Sequence, residues 1–170
     1  MKKISLLICL GLAMVACKKN EPAVVRGEIT EKAMVVSARS EASQIGADIL
    51  RKGGNAFDAM VATELALAVA YPYAGNISGG GFMVYRQNDG TTGAIDYREK
   101  APMAATKDMY LDSLGNPVAE QSRFGAKAVG VPGTVAGIFA VHQKFGSLPM
   151  SELIQPAIDL AKRGVVVTKK

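Results

Sequence analysis

The stretch NISGGGFMVYRQNDGTTGAIDYREKAP, residues 76–102, frames the reading of the whole chain. Phe82 to Gln87 reads as a strand, Asn88-Asp89-Gly90 as a hairpin turn, and Thr92 to Tyr97 as the partner strand. The strands of a hairpin run antiparallel, so the end of the second, near Arg98, returns to the start of the first, near Gly79 to Gly81. The three glycines and the arginine are therefore expected to be neighbours in space. Adjacent glycines permit positive φ and let another backbone or a ligand approach closely. They do not match a phosphate loop, because the spacing is neither G-x-G-x-x-G nor G-x-x-x-x-G-K-S/T and the run feeds a strand. On pattern alone, a tight loop packed under other elements accounts for them.

Arg98 follows a strand and is flanked by Glu99, which could orient it. A guanidinium fork suits bidentate recognition of a carboxylate, and such charge-assisted bonds contribute roughly 1.5–3 kcal/mol. A surface charge cluster of Asp96, Arg98 and Glu99 is the alternative. No nucleophile constellation accompanies the arginine. Thr63, Thr134 and Ser78 have no identifiable base nearby, and hydroxyls need activation to attack. His142, the one histidine, falls in an expected helix, which leaves no basis for a His-built metal site or triad. On chemistry alone the chain reads as a secreted binding domain.

Outward from the hairpin, Met34-Val35-Val36-Ser37-Ala38 reads as a short buried strand. Ser40 is expected to cap a helix through Lys52, with Ala42, Ile45, Ile49 and Leu50 on one face and Gly53 at the stop. Asn55 is expected to cap a second helix, with Asp58 in its first turn, ending before Pro72. That helix is apolar nearly all round, which predicts burial between a sheet and other helices. Residues 102–126 read as irregular, with a turn at Leu114-Gly115-Asn116-Pro117. A helix is expected from Thr134 to Phe145, stopped by Gly146. Ser151 opens another, with Pro156 as a kink or restart and Gly164 as its end. The closing VVVTKK is strand-like without a visible partner.

The first residues read as targeting. Lys2 and Lys3 precede an uncharged, mostly apolar run from Ile4 to Val15, too short to span a bilayer comfortably. Cys17 after Ala16 resembles the lipobox of bacterial lipoproteins, in which that thiol is diacylated and becomes the first mature residue. The alternative is an ordinary signal peptide that contains cysteines. The expected organisation is a lipoprotein signal over residues 1–16, a lipidated linker over 17–32 and one domain over 33–170. Loss of the signal lowers the formal charge from +5 to +3 and leaves no basic stripe for nucleic acid. It also removes Cys9, so disulfides, thiolate catalysis and cysteine metal sites are excluded together. No residue here calls for a metal or cofactor.

Several segments in order carry a resemblance: MVVSA at 34–38, ILRKGGNAFDAMVATELALAV at 49–69, GNISGGGFMVYR at 75–86, IDYREKAP at 95–102 and GVPGTVAG at 130–137, with LIQPAIDLAKRG at 153–164. Together they resemble the start of the large subunit of the gamma-glutamyltranspeptidase (glutathione hydrolase) family, from about residue 33 onward. Ser78 departs from the pattern, since the family usually carries another glycine there. The resemblance implies an α/β fold, the incomplete N-terminal part of an αββα N-terminal-nucleophile-hydrolase sandwich. It implies a precursor that cleaves itself, freeing an N-terminal threonine whose own amino group can act as base. The γ-glutamyl enzyme is then resolved by water or by an amino acid or peptide, with glutathione and other γ-glutamyl compounds as donors. Carried onto this chain, the arginine that holds the donor's α-carboxylate is Arg98, with Glu99 as its support.

The threonine, the oxyanion-forming glycines and the groups that hold the α-amino end belong to the small subunit of the family precursor, beyond Lys170. No catalytic residue is expected in this chain, which alone should fold poorly and not turn over substrate. The expected localisation is the bacterial cell envelope, on the periplasmic or extracellular face. Two alternatives remain: a short lipoprotein that uses the scaffold to hold a carboxylate ligand, and relatives acting on poly-γ-glutamate or on the acyl side chains of β-lactams.

Overall fold

A fifteen-residue helix without a polar face has to be surrounded, and the fold is built around one. In the computed structural model, which describes Gly27 and residues 29–168, this helix is α2, Ala56–Ala70. The signal over 1–16, Cys17 and most of the linker lie outside the described residues. The chain divides into two units, Met1–Lys32 and Ala33–Lys170. Of the first, only Gly27 and residues 29–32 are described, and they carry no helix or strand. The second carries everything that follows.

α1 spans Ser40–Arg51, β1 Phe82–Arg86, β2 Thr92–Asp96, α3 Thr134–Phe145 and α4 Met150–Arg163, with a short 3-10 turn at Ala126–Ala128. α2 packs against α1, α3 and α4. Its Val61 and Ala62 are fully buried with Ile49 of α1, Val141 of α3 and Leu153 of α4, and Met83 of the hairpin joins the same cluster. A second cluster joins Ala42, Ala66, Ala70 and Leu160. The expected packing of α2 on other helices forms, and from the hairpin Met83 enters the cluster with Tyr85 and Ile95 against it. At the corner, the ring of Tyr85 lies 4.8 Å from that of Phe145 and 5.8 Å from that of Phe57, while Phe57 stacks on Phe145 at 4.2 Å.

Asn55 starts α2 as its sequence implies. Its Oδ1 accepts from the backbone N–H of Phe57 and Asp58, and Asp58 returns a bond to the Asn55 N–H, a reciprocal capping box. α1 starts one position earlier than expected: Arg39 occupies the N-cap, and Ser40 is the first helical residue. α4 starts at Met150 and runs on through Pro156 without a restart, ending at Gly164 with φ +83°. Residues 164–168 form no strand. They are held instead by Arg39, whose guanidinium donates to the Val166 carbonyl and to Thr168 Oγ1, each at 3.2 Å.

β1 and β2 pair antiparallel with Phe82 opposite Asp96 and Arg86 opposite Thr92. The turn closes with Gly90 at φ +89° and with the Thr91 N–H donating to Asp89 Oδ1. One hairpin face carries Met83, Tyr85 and Ile95 toward the helices. The other leaves Phe82 and Val84 exposed. Met34 to Ala38 is not a strand: among the described residues it pairs with nothing, Met34 and Val36 are exposed, and only Val35 packs on the core. An apolar run signals that a segment suits a sheet, but a strand exists only once a second backbone supplies the ladder.

Candidate functional site

The hairpin ladder does not end at Asp96. The Tyr97 N–H donates to the Gly81 carbonyl at 3.0 Å, which sets Gly80 opposite Arg98. The expected meeting of glycines and arginine therefore occurs. Of the two uses expected of the glycines, close approach is the one that applies, because Gly79, Gly80 and Gly81 all avoid positive φ. What excludes a side chain is proximity. A β-carbon on Gly80 would lie 2.7 Å from the Arg98 Cα and 2.8 Å from the Tyr97 carbonyl oxygen. One on Gly81 would lie 2.7 Å from the Tyr97 ring.

A second set of glycines closes on the same segment from the other side. Lys100 bridges to Val131 through two backbone hydrogen bonds of 3.1 and 2.8 Å. A β-carbon on Gly133 would collide with the Tyr97 carbonyl, and one on Gly137 with the Tyr97 ring. The two sets are tied directly: the Gly79 carbonyl accepts from the N–H groups of Gly133 and Thr134, at 2.8 and 3.0 Å. Free N–H groups at a helix start need acceptors, and here the glycine loop supplies one to α3. Residues 97–99 thus sit in a clamp with glycine on both sides.

The clamp presents the Arg98 side chain outward, with 58% of it exposed. Three contacts fix the residue, two of them on its side chain. Asp96 Oδ1 accepts from its backbone N–H at 2.9 Å, Glu99 Oε2 accepts from its Nε at 2.9 Å, and the guanidinium lies 5.5 Å from the centre of the Phe82 ring. Glu99 is held below the usual carboxylate range by its own backbone N–H and then by Arg98, so it stays ionised at neutral pH. With Nε engaged, the two terminal nitrogens remain for a ligand, and a carboxylate can take both. Arg98 and Lys100 line one side of a cleft of about 280 Å³, and Val131, Pro132 and Ala136 line the other.

The other residues weighed from sequence lie elsewhere. Thr63 is buried in α2 with its hydroxyl unpartnered among the described residues, and Thr134 is buried at the start of α3. His142 Nε2 bonds the Leu148 carbonyl at 2.8 Å, a structural contact across the α3–α4 turn. Ser78 occupies its loop position without positive φ, donating its backbone N–H to Asn76 Oδ1. Sequence reasoning missed Phe82 beneath Arg98 and the role of Gly133 and Gly137. Their spacing of four residues, one face of a helix, was the available sign of close approach.

The sequence model of the Gamma-glutamyltranspeptidase family matches residues 42–170, and the chain belongs to that family. It is 50% identical over 137 residues to the glutathione hydrolase proenzyme of Escherichia coli strain K12, covering 81% of this chain and 24% of the relative. It is 46% identical over 163 residues to the glutathione hydrolase proenzyme of Pseudomonas aeruginosa, covering 96% and 28%. Among solved structures it is similar to the gamma-glutamyltranspeptidase of Helicobacter pylori, with a TM-score of 0.76 and 49% identity over 82% of this chain and 40% of that one. The chain spans about a quarter of the length of the curated relatives it matches.

Proposed function

We propose that this chain is the N-terminal part of the large subunit of a gamma-glutamyltranspeptidase, and that Arg98 grips the α-carboxylate of the γ-glutamyl donor. The observation that carries the reading is the clamped Arg98, a residue whose Nε is engaged by Glu99 and which also lines a cleft. An arginine held this way gives orientation as well as charge, which a freely rotating side chain does not. The reaction is transfer of the γ-glutamyl group from glutathione or a related compound to water, an amino acid or a peptide. The nucleophile in this reading is a threonine freed by self-cleavage in the part of the precursor beyond this chain, so the chain alone has no turnover.

The exposed Phe82 and Val84 on the outer face of the hairpin fit a second sheet packed against it, as in an αββα sandwich. Cys17, in the same reading, carries a lipid that holds the enzyme at the bacterial envelope. The test is an immunoblot of the native product from its own cells, with antibody raised against residues 34–170. The reading expects a precursor much longer than 170 residues, processed to a shorter large subunit. A single species of about 150 residues would overturn it in favour of a carboxylate-binding lipoprotein.

A further inference from the structure

The clamp around Arg98 is itself held by a side chain that has no hydrogen bond to Arg98. Asn76 Oδ1 accepts two backbone N–H bonds, from Ser78 at 2.8 Å and from Gly79 at 2.6 Å. An asparagine in this position mimics a backbone turn and fixes the direction of the peptides that follow it. Here the next peptide is the one whose carbonyl, that of Gly79, ties the loop to Gly133 and Thr134. Gly80, one residue on, is the surface against which the Arg98 backbone lies. Glu99 lies near the same loop: a β-carbon on Gly79 would stand 3.2 Å from Asn76 Oδ1 and 3.5 Å from Glu99 Oε1. The same Glu99 holds Arg98 Nε with its other oxygen.

We infer that Asn76 is a positioning residue for donor recognition, acting through the Gly79–Gly133 tie to hold Arg98 at the angle the donor carboxylate requires. This rests on the reading of Arg98 given above. Without the two bonds to Oδ1, the Ser78 and Gly79 peptides are free to rotate, and the Gly79 carbonyl loses its fixed aim at α3. The arginine stays in the chain, but its terminal nitrogens no longer meet the carboxylate together. The expected consequence is weaker donor capture with an unchanged chemical step.

The test is a double-mutant cycle in the complete gene product, using steady-state kinetics with a γ-glutamyl anilide. Asn76→Ala, which removes two neutral hydrogen bonds that act on Arg98 only through the loop, should raise KM on the order of tenfold with kcat held. Asn76→Ser, whose hydroxyl forms the same turn more weakly, should fall between. In an Arg98→Ala background either Asn76 substitution should add nothing. If the two effects multiply, or if kcat falls while KM stays, the inference is overturned, because Asn76 then acts elsewhere. If Arg98→Ala alone leaves KM unchanged, the reading of Arg98 fails first and this inference goes with it. Should Asn76→Ala not fold, the cycle is run with Asn76→Ser and read by the same criteria.

Discussion

Gly80 lies flat against the backbone of Arg98, so close that a β-carbon would stand 2.7 Å from the Arg98 Cα. Gly133 closes on the preceding carbonyl, that of Tyr97, where a β-carbon would collide with the oxygen. Substituting either should push residues 97–98 out of register. Gly80→Ala and Gly133→Ala are each expected to raise the donor KM and to cost about 1–3 kcal/mol of stability, the range for overpacking. Gly115→Ala is the control. Gly115 has φ +83° with open space around it, so alanine there is strained locally but leaves the donor KM unchanged. Kinetics and thermal melts of the three variants check this.

Asp58 is fully buried and joins residues far apart in sequence. Its carboxylate accepts from the N–H and hydroxyl of Ser147, from the Leu148 N–H and from the Asn55 N–H. Burial raises its pKa, but these hydrogen bonds more than offset that, and the net shift is below the ordinary value of 3.8. A depressed carboxylate contributes stability above its unfolded pKa and loses it as pH falls through the folded one. Asp58→Ala should therefore cost about 3 kcal/mol or more at neutral pH, since it orphans several buried donors. The difference from wild type should shrink below pH 3.8. Chemical denaturation across that range measures it.

Glu64 predicts the opposite sign. It lies half-buried on α2 without a hydrogen-bond partner among the described residues, and burial raises its pKa above 4.5. Its contribution to stability is fully present below 4.5 and is lost as pH rises through the raised folded value. Glu64→Gln removes the ionisation and should raise Tm at pH 8 while changing little at pH 4. A melt of both proteins at the two pH values decides it. No gain at pH 8 would mean that Glu64 is solvated or paired in the complete gene product.

Much of this was legible in the chain because the signals are local. Asn55 and Asp58 announce a capping box, Gly146 stops α3 at the expected residue, and Asn88-Asp89-Gly90 returns the hairpin. From the hairpin alone, antiparallel geometry put Arg98 beside the glycines. What was illegible depends on partners distant in sequence. Met34 to Ala38 has the pattern of a strand, but pattern does not supply the second backbone. The glycines at 79–81 allow two readings, unusual φ or close approach, and only the position of residues 97–99 selects the second. Nothing in the sequence singles out Asn76; only the folded loop brings its Oδ1 to the Gly79 N–H.

The central claim is that Arg98 reads the α-carboxylate of the donor. Its most direct test compares, in the complete gene product, a γ-glutamyl anilide with the matching 4-aminobutyryl anilide, which lacks only that carboxylate. Wild type should strongly prefer the γ-glutamyl compound. Arg98→Ala should raise its KM on the order of a hundredfold, the scale of two lost charge-assisted bonds, and should erase the preference. Arg98→Lys should restore only part of it, since an ammonium is a point charge without the fork. An Arg98→Ala enzyme that keeps both its donor KM and its preference would contradict the account.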